Sequence, residues 1–340
     1  MGYRVGTYHV PGKTIILVAM KDSAFKNLLV NLRALFTTNI RRRINENTNK
    51  IAMLEEFVVD QKITERYYFL KVLDYYVRHE QEAAAFQKEL DYLRQKGTYC
   101  IFPYPTESIS TIQPGFDTAA GLPYVVHNQK KLYFPASFSE EAIVETYSNY
   151  IQTEKILAIG DTSEAPHQYQ SPTVHVEKGD VIFDIGAAEG LFALDQVDNA
   201  SRVIIVENDP QWTEPLHHTF APWQEKTMVI QKGVSVVDTD YNLSLKTLLS
   251  ETADHPTFIK MDIEGYELPV ITSALDFLKG KENIKMAAAV YHRQHDAEEI
   301  KALFDSIGYT SEFSKGYMLF HLYDMPTPPY FRRGIIRAKK

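Results

Sequence analysis

From about residue 175 onward the chain alternates short apolar runs with helical patterns and leaves little slack between them. DVIFDI (180–185), RVIIVE (202–207), TMVIQ (227–231), TFIKMD (257–262) and KMAAAVYH (285–292) read as buried strands, too short and too rich in β-branched residues for helices. Strand and helix in strict turn require crossover connections of one hand, so the segment is predicted to form a mostly parallel, doubly wound α/β sheet. The closing stretch GYTSEFSKGYMLFHLY has turn residues between two β-rich runs. An antiparallel hairpin there brings the sheet to about seven strands, in a Rossmann-like arrangement.

Ligands of an open α/β sheet bind outside the carboxyl ends of the strands. Asp184, Glu207, Asp262 and His292 all fall at such ends. After the first strand, Gly186 and Gly190 allow a tight turn into a helix whose N-terminus faces the ligand. A nicotinamide site wants G-x-G-x-x-G, and this loop departs from it, with Ala188 in place of the middle glycine and Asp184 before the turn. An acid there suits an ammonium or sulfonium ligand better than a pyrophosphate. Glu207, 23 residues after Asp184, ends the second strand, where a carboxylate can accept both hydroxyls of a ribose.

VIFDIGAAEG, VIIVEND and FIKMDIEGYELPVI together resemble the FkbM family of class I S-adenosylmethionine-dependent methyltransferases, whose hallmark is a K-x-D-x-E-G-x-E segment. VYHRQHD and the closing GY...GYMLF are also similar to that family, and the resemblance covers roughly residues 175 to 325. It implies S-adenosylmethionine as cofactor. Asp184, Gly186 and Gly190 would surround its methionine part, Glu207 would hold its ribose, Ala188 and Asn208 would belong to the same cofactor site, and Asp262 would stand beside the methyl group. The acceptor class that it implies is a hydroxyl on a sugar, glycan or related polar metabolite.

Side chains alternate along a strand, so Lys260 and Asp262 share one face and Met261 takes the other. Glu264 and Glu267 fall where the next helix begins, a position favoured by the helix dipole. A hydroxyl acceptor needs a base, for which Asp262 and His292 are the candidates, with Lys260 as electrostatic helper or as one half of a structural ion pair. His295 and Asp296 follow closely, but no ligand spacing compels a metal and none is expected. His167 and Tyr169, in APHQYQ, read either as acceptor-pocket residues or as part of a plain connector.

The first half, residues 1–174, is assigned to a largely helical accessory, substrate or oligomerisation region and residues 175–340 to the catalytic domain. Helices are predicted over Ala24–Arg43 and Ile51–Gln95, a candidate pair for a homodimer interface, followed by a strand at TYCIFPYP and two strands around Asn128-Gln129. SFSEEAIVETYSNYI reads as a helix capped by Ser137 or Ser139. Tyr67, Tyr68, Tyr75, Tyr76 and the aromatics from Tyr99 to Tyr104 suit core packing better than sugar stacking.

A net charge of −8 disfavours nucleic acid as main partner. The basic runs Arg41-Arg42-Arg43 and Arg332, Arg333, Arg337, Lys339, Lys340 read as solvated surface or a docking patch. A single cysteine, Cys100, excludes an internal disulfide and fits a cytoplasmic setting. The apolar run Ile15–Met20 is too short to span a membrane, and Gly6 breaks the myristoylation pattern that follows Gly2. The rival to an enzyme is a non-catalytic interaction protein that keeps the sheet and uses residues 1–170 as an arm; acids retained at three strand ends favour the enzyme.

Overall fold

The computed structural model describes residues 5–10, 13–18, 50–105, 112–159, 165–250, 252, 255–320 and 327–340, with side chains described from Thr64 onward. Two compact units result, Met1–Thr64 and Glu65–Lys340. In the first, β1 (Val5–Val10) and β2 (Lys13–Val18) pair antiparallel, from Val5 against Val18 to Val10 against Lys13. The helix expected over 24–43, the Arg41–Arg43 run and half of the proposed helical pair lie outside the described residues.

The helix α1 (Lys50–Arg78) stops short of the expected Gln95. His79 leaves helical geometry, with φ −127° and ψ 61°, and the acids Glu80 and Glu82 then open a new N-terminus, where negative charge is favoured. Short turns lead to α2 (Gln87–Lys96), which ends on left-handed Gly97. Tyr68, Tyr76, Leu90, Leu93 and Tyr99 bury against Leu319, Tyr330 and Phe331, so the aromatic-rich stretch is core. TYCIFPYP forms no strand: its prolines interrupt any ladder, and one bond from the Leu319 amide to the Ile101 carbonyl (2.9 Å) ties it down.

The strands β3 (Gly115–Asp117), β4 (Leu122–His127) and β5 (Lys130–Tyr133) form a small antiparallel sheet. Asn128 and Gln129 link the last two with φ of 47° and 67°, the two-residue turn whose twist matches a hairpin. The helix α3 (Glu140–Ser148) starts at Ser139, whose hydroxyl accepts from the Ala142 amide at 3.2 Å.

The main sheet comprises β6 (Val181–Ile185), β7 (Arg202–Val206), β8 (Thr227–Ile230), then, past the short parallel pair β9 (Gly233–Ser235) and β10 (Asn242–Ser244), β11 (Thr257–Met261), β12 (Ile284–Ala289), β13 (Thr310–Phe313) and β14 (Ile335–Lys339). Its order is β13-β14-β12-β11-β6-β7-β8. The ladders from β8 through β12 are parallel, and β14 runs antiparallel to both of its neighbours. The expected hairpin within 308–323 is therefore replaced: β13 pairs with β14, and Met318 makes only an isolated bridge to Arg332. The apolar Ile335, Ile336 and Ala338 gain full burial in that slot.

Alternation along the strands feeds two cores. Ile182, Val203, Ile205, Phe258 and Ala287 join one, with α4 (Leu191–Gln196), α5 (Thr213–Phe220) and the small sheet. Phe183, Ile204, Ile259, Met261 and Met286 join the other, against α6 (Leu245–Ser250), α7 (Glu267–Ser273), α8 (Leu275–Lys279) and α9 (Asp296–Ser306). Because Val125, Phe134, Ile143 and Tyr169 belong to the first core, the compact-unit boundary falls at 64/65, and residues 65–174 share a unit with the sheet.

The basic tail is not all surface. Arg332 is buried and donates from Nη1 to the carbonyls of Tyr291 (2.9 Å) and His292 (2.7 Å); Arg337 is buried and donates to that of Gln170 (2.8 Å). Both satisfy strand-end or connector carbonyls that would otherwise be left unpaired. Among the described residues no helix is long and apolar enough to cross a membrane.

Candidate active site

β6 is the switch point of the sheet: the chain leaves it towards β7 and β8 on one side and reaches β11 and β12 on the other. At the carboxyl ends of β6 and β11 the backbones nearly touch. A Cβ on Gly186, whose φ is +71°, would lie 1.8 Å from the Asp262 carbonyl oxygen, so only glycine fits. Ala188 also adopts a left-handed conformation, φ 46°, at a cost of about 1–2 kcal/mol. Its amide donates to Glu207 Oε2 at 2.8 Å, and the Asp209 amide donates to Oε1 at 2.7 Å. Glu207 thus ties the loop after β6 to the loop after β7.

Lys260 and Asp184 are register partners on adjacent parallel strands and face the same side. Their side chains form an ion pair of 3.1 Å, with Lys260 6% and Asp184 1% exposed. Lys260 Nζ also donates to the Gly186 carbonyl and sits 5.4 Å from the centre of the Tyr169 ring. Burial disfavours the ammonium, but the carboxylates of Asp184 and Asp262 outweigh it and hold the Lys260 pKa above its ordinary value. Asp184 Oδ2 accepts from the Ala193 amide at 3.1 Å, pinning α4 to the strand end.

Asp262 gathers the densest set of donors. Its Oδ2 accepts from Tyr169 (2.6 Å), His167 Nε2 (3.1 Å) and Tyr291 (3.1 Å). His167 Nδ1 in turn pairs with the buried Glu154 carboxylate. Burial would raise the Asp262 pKa, but His167, His292 and Lys260 hold it well below the carboxylate range. For His167, burial works against the charge, and Glu154 with Asp262 pushes its pKa up to about 9.

His292 does not reach the cavity. Alternation along β12 and its extension puts Ala287, Ala289 and Tyr291 on the face of the first core, so Tyr291 forms the wall and His292 lies behind Asp262. Its Nε2 is 3.4 Å from Asp262 Oδ1 and 3.3 Å from Glu264 Oε2, and its Nδ1 is 3.1 Å from Glu267 Oε1. Burial opposes the imidazolium, yet these carboxylates push its pKa up to about 10. Glu267, fully buried, also accepts from the Ile263 amide at 2.7 Å, closing the turn into α7. Asp262, Glu267 and His292 each bring a ligating atom within 4.8 Å of the others, the set among the described residues that a metal would use. His295 and Asp296 open α9 instead, where Asp296 accepts from the Arg293 amide at 3.3 Å.

A cavity of about 750 Å³ lies over these strand ends. Of the residues singled out in the sequence, Gly186, Ala188, Glu207, Asn208, Lys260 and Asp262 line it, as do His167 and Tyr169 from the connector. Asp184, Gly190 and His292 stand behind the wall; Gly190 does so because a Cβ there would meet Leu216 at 2.8 Å. Sequence reasoning did not single out Glu154, Glu189 or Tyr291, nor the Lys232–Ser235 stretch, all of which line the cavity. The one available signal was phase: Tyr291 shares the alternation of Ala287 and Ala289.

Residues 234–311 match the family model of the methyltransferase FkbM domain. Over those residues the chain is similar to FkbM methyltransferases. Within the FkbM match lie Lys260, Asp262, Glu264, Glu267 and His292, whereas Asp184 and Glu207 precede it. Among curated proteins none matches the chain. Among solved structures the chain is similar to the methyltransferase FkbM of Methylobacillus flagellatus KT, at 21% identity and a TM-score of 0.37 over 48% of this chain. It spans 44% of that protein's length. It is also similar to the precorrin-6y C5,15-methyltransferase of Geobacter metallireducens GS-15, at 14% identity and TM-score 0.34 over 49% of this chain and 83% of that one. A third likeness is to Trm5b of Pyrococcus abyssi, at 15% identity and TM-score 0.31 over 64% of this chain and 54% of that one.

Proposed function

We propose that the protein transfers a methyl group from S-adenosylmethionine to a hydroxyl of a sugar or related polar metabolite in the cytoplasm. The observation that carries this reading is the convergence of the Gly186 turn, Glu207 and Asp262 on one cavity at the switch point of the sheet. The residues present fit the cofactor. Glu207 keeps lone pairs for a ribose after accepting its two backbone bonds, at the cavity edge of the turn that Gly186 makes possible. Acids dominate the polar wall, with Glu154, Glu207, Asp209, Asp262 and Glu264 against Lys232, Lys260 and His167, which suits a sulfonium.

When bound, S-adenosylmethionine supplies an electrophilic methyl on a sulfonium. The chain's own part is to hold the acceptor oxygen in line for attack, where most of the rate gain of such a displacement arises. Asp262, fixed by Tyr169, Tyr291 and His167, accepts the acceptor O–H and aims its oxygen. As the new O–C bond forms, the hydroxyl proton passes to the Asp262–His167 pair, with neutral His167 as its final holder. His292 positions Asp262 from behind, and Lys260 holds the Gly186 loop through its carbonyl. Aromatic faces of Phe102, Tyr150, Trp212 and Phe320 on the wall support a sugar-like acceptor.

The test is calorimetric titration with S-adenosylhomocysteine, for wild type and Glu207→Ala, followed by labelled-methyl transfer to a panel of hydroxylated sugars. Binding that Glu207→Ala weakens at least tenfold, with turnover lost in Asp262→Asn, is expected. Wild-type protein that binds no cofactor and transfers no methyl group would leave the interaction-protein reading in its place. Turnover that rises with pH through about 9 is the further signature, because His167 must lose its proton to receive another.

A further inference from the structure

The sheet does not supply the base of the site alone. Past α3 the chain makes one π-helical turn, Asn149–Glu154, a rare form that recurs at functional sites. Tyr150 and Glu154, four positions apart in it, both line the cavity, and the Tyr150 phenol donates to Glu189 in the turn after β6. Glu154 is 8% exposed. Its Oε1 accepts from Asn149 Nδ2 at 2.5 Å, and its Oε2 faces His167 Nδ1. Across the ring, His167 Nε2 is 2.8 Å from the Tyr169 hydroxyl and 3.1 Å from Asp262 Oδ2. Phe102 stacks on the imidazole and Tyr291 stands edge-on to it, so the ring plane is fixed. Glu154, His167 and Tyr169 all precede residues 234–311, so the FkbM match does not carry them.

We infer that Glu154 is a positioning residue, which keeps the proton of neutral His167 on Nδ1 and so leaves Nε2 as the base that faces the acceptor hydroxyl. The inference rests on the methyl-transfer reading of the cavity and adds to it the group that selects the tautomer. A neutral imidazole has one proton for two nitrogens, and its hydrogen bonds decide which nitrogen keeps it. On the Nε2 side, Asp262 Oδ2 already accepts from the hydroxyls of Tyr169 (2.6 Å) and Tyr291 (3.1 Å). On the Nδ1 side, His167 itself is the donor to Glu154 Oε2, and Asn149 holds that carboxylate in place. As the acceptor oxygen forms its bond to the methyl carbon, the S–C electron pair returns to sulfur and the hydroxyl proton moves to Nε2. Glu154 takes no proton; its charge stabilises the imidazolium that forms. In a serine-hydrolase triad, exchanging the buried acid for its amide lowers kcat about 10⁴-fold by favouring the wrong tautomer. Glu154→Gln should act alike, because the new amide donates to Nδ1 and moves the ring proton to Nε2.

The first experiment needs no acceptor. The ring nitrogens of protein labelled with nitrogen-15 histidine are read by NMR at about pH 10, above the His167 pKa of about 9, with His167→Gln to assign the signals. Wild type is expected to show Nδ1 protonated and Nε2 bare, and Glu154→Gln the reverse. Wild-type His167 protonated on Nε2 overturns the inference whether or not any variant folds, as does a Glu154→Gln protein that keeps the proton on Nδ1. The second experiment is labelled-methyl transfer to the panel of hydroxylated sugars. Glu154→Gln is expected to lower kcat about 100-fold or more. Acceptor KM should stay within threefold and S-adenosylhomocysteine affinity within twofold, which also shows that the variant is folded. Adding Glu154→Gln to His167→Gln should cost nothing further, because the acid acts only through the ring; losses that multiply would make Glu154 a structural residue and overturn the inference. Wild type that binds no S-adenosylhomocysteine overturns the methyl-transfer reading and the inference with it. The spectrum, which needs no cofactor, tells that failure from a wrong tautomer.

Discussion

Replacing Lys260 by Met keeps most of the side-chain volume and removes the charge that neutralises Asp184. Asp184 would then be a carboxylate 1% exposed with one remaining partner, the Ala193 amide at 3.1 Å. Breaking a buried pair from one side typically costs about 3–5 kcal/mol, because the surviving charge is left uncompensated. Removing both charges costs far less, since an amide at position 184 loses little by burial beside a methionine. Lys260→Met alone should therefore destabilise by about 3–5 kcal/mol, and Lys260→Met with Asp184→Asn should recover at least about 2 kcal/mol of that loss.

Urea unfolding followed by the fluorescence of Trp212, which is 7% exposed, reads this directly. With a denaturant slope of about 3 kcal/mol per molar, the single substitution moves the midpoint by about 1 M or more. The sign with pH is fixed by the raised Lys260 pKa: the pair's contribution is complete below the ordinary lysine value of 10.5 and is lost as pH rises through the higher folded value. The gap between wild type and Lys260→Met should therefore be constant from neutral pH to about 10 and close only in stronger alkali. A single variant that loses under about 1 kcal/mol, or a double variant whose loss is the sum of the two singles, would refute the pairing as the reason for Lys260.

Four further outcomes follow from the same geometry. Gly186→Ala puts a methyl 1.8 Å from a backbone oxygen at a positive φ, and about 2–5 kcal/mol of strain and overpacking should weaken S-adenosylhomocysteine at least tenfold in calorimetry. Ala188→Gly relieves a left-handed alanine at the expense of chain entropy, so its stability should stay within about 1 kcal/mol of wild type and its binding should persist; identical behaviour of the two variants would sink the account of the turn. Stability against pH, compared with that of Asp262→Asn/His292→Gln, should show the largest difference between about 4 and 6.5. The lowered Asp262 pKa gives stability that is complete above 3.8 and lost towards stronger acid, and the raised His292 pKa gives stability that is complete below 6.5 and lost as pH climbs through about 10. Finally, dialysis against a chelator should leave methyl transfer unchanged; restoration by added magnesium or manganese would instead assign an ion to Asp262, Glu267 and His292.

The central strands were legible because each is buried on both faces, and a parallel strand covered on both sides leaves a continuous apolar run such as VIFDI. Lys260 and Asp262 were legible for the opposite reason, as charges that interrupt such a run. What the sequence pattern did not carry was any contact between segments far apart in the chain. The closing strand pairs 335–339 with 310–313 across a stretch that itself looks β-rich, and burial of Ile335 and Ile336 decides between the two partners. His167 and Tyr169 sat in a connector with no periodicity, so nothing local marked them as donors to a carboxylate 95 and 93 positions away.

The His292 and Tyr291 pair shows how narrow the margin is. A strand end offers two consecutive side chains to opposite faces, and the reading that chose the histidine did so on its ordinary pKa rather than on its phase. Phase was available: Ala287 and Ala289 pack into the first core, so the next residue on that face is Tyr291. Once the face is fixed, chemistry follows from depth. The phenol reaches Asp262 from the cavity, and the imidazole, surrounded by Asp262, Glu264 and Glu267, becomes the buried cation that keeps Asp262 ionised and aimed. In this sheet a residue's type sets what it can do, and its parity along the strand sets whether it meets the substrate.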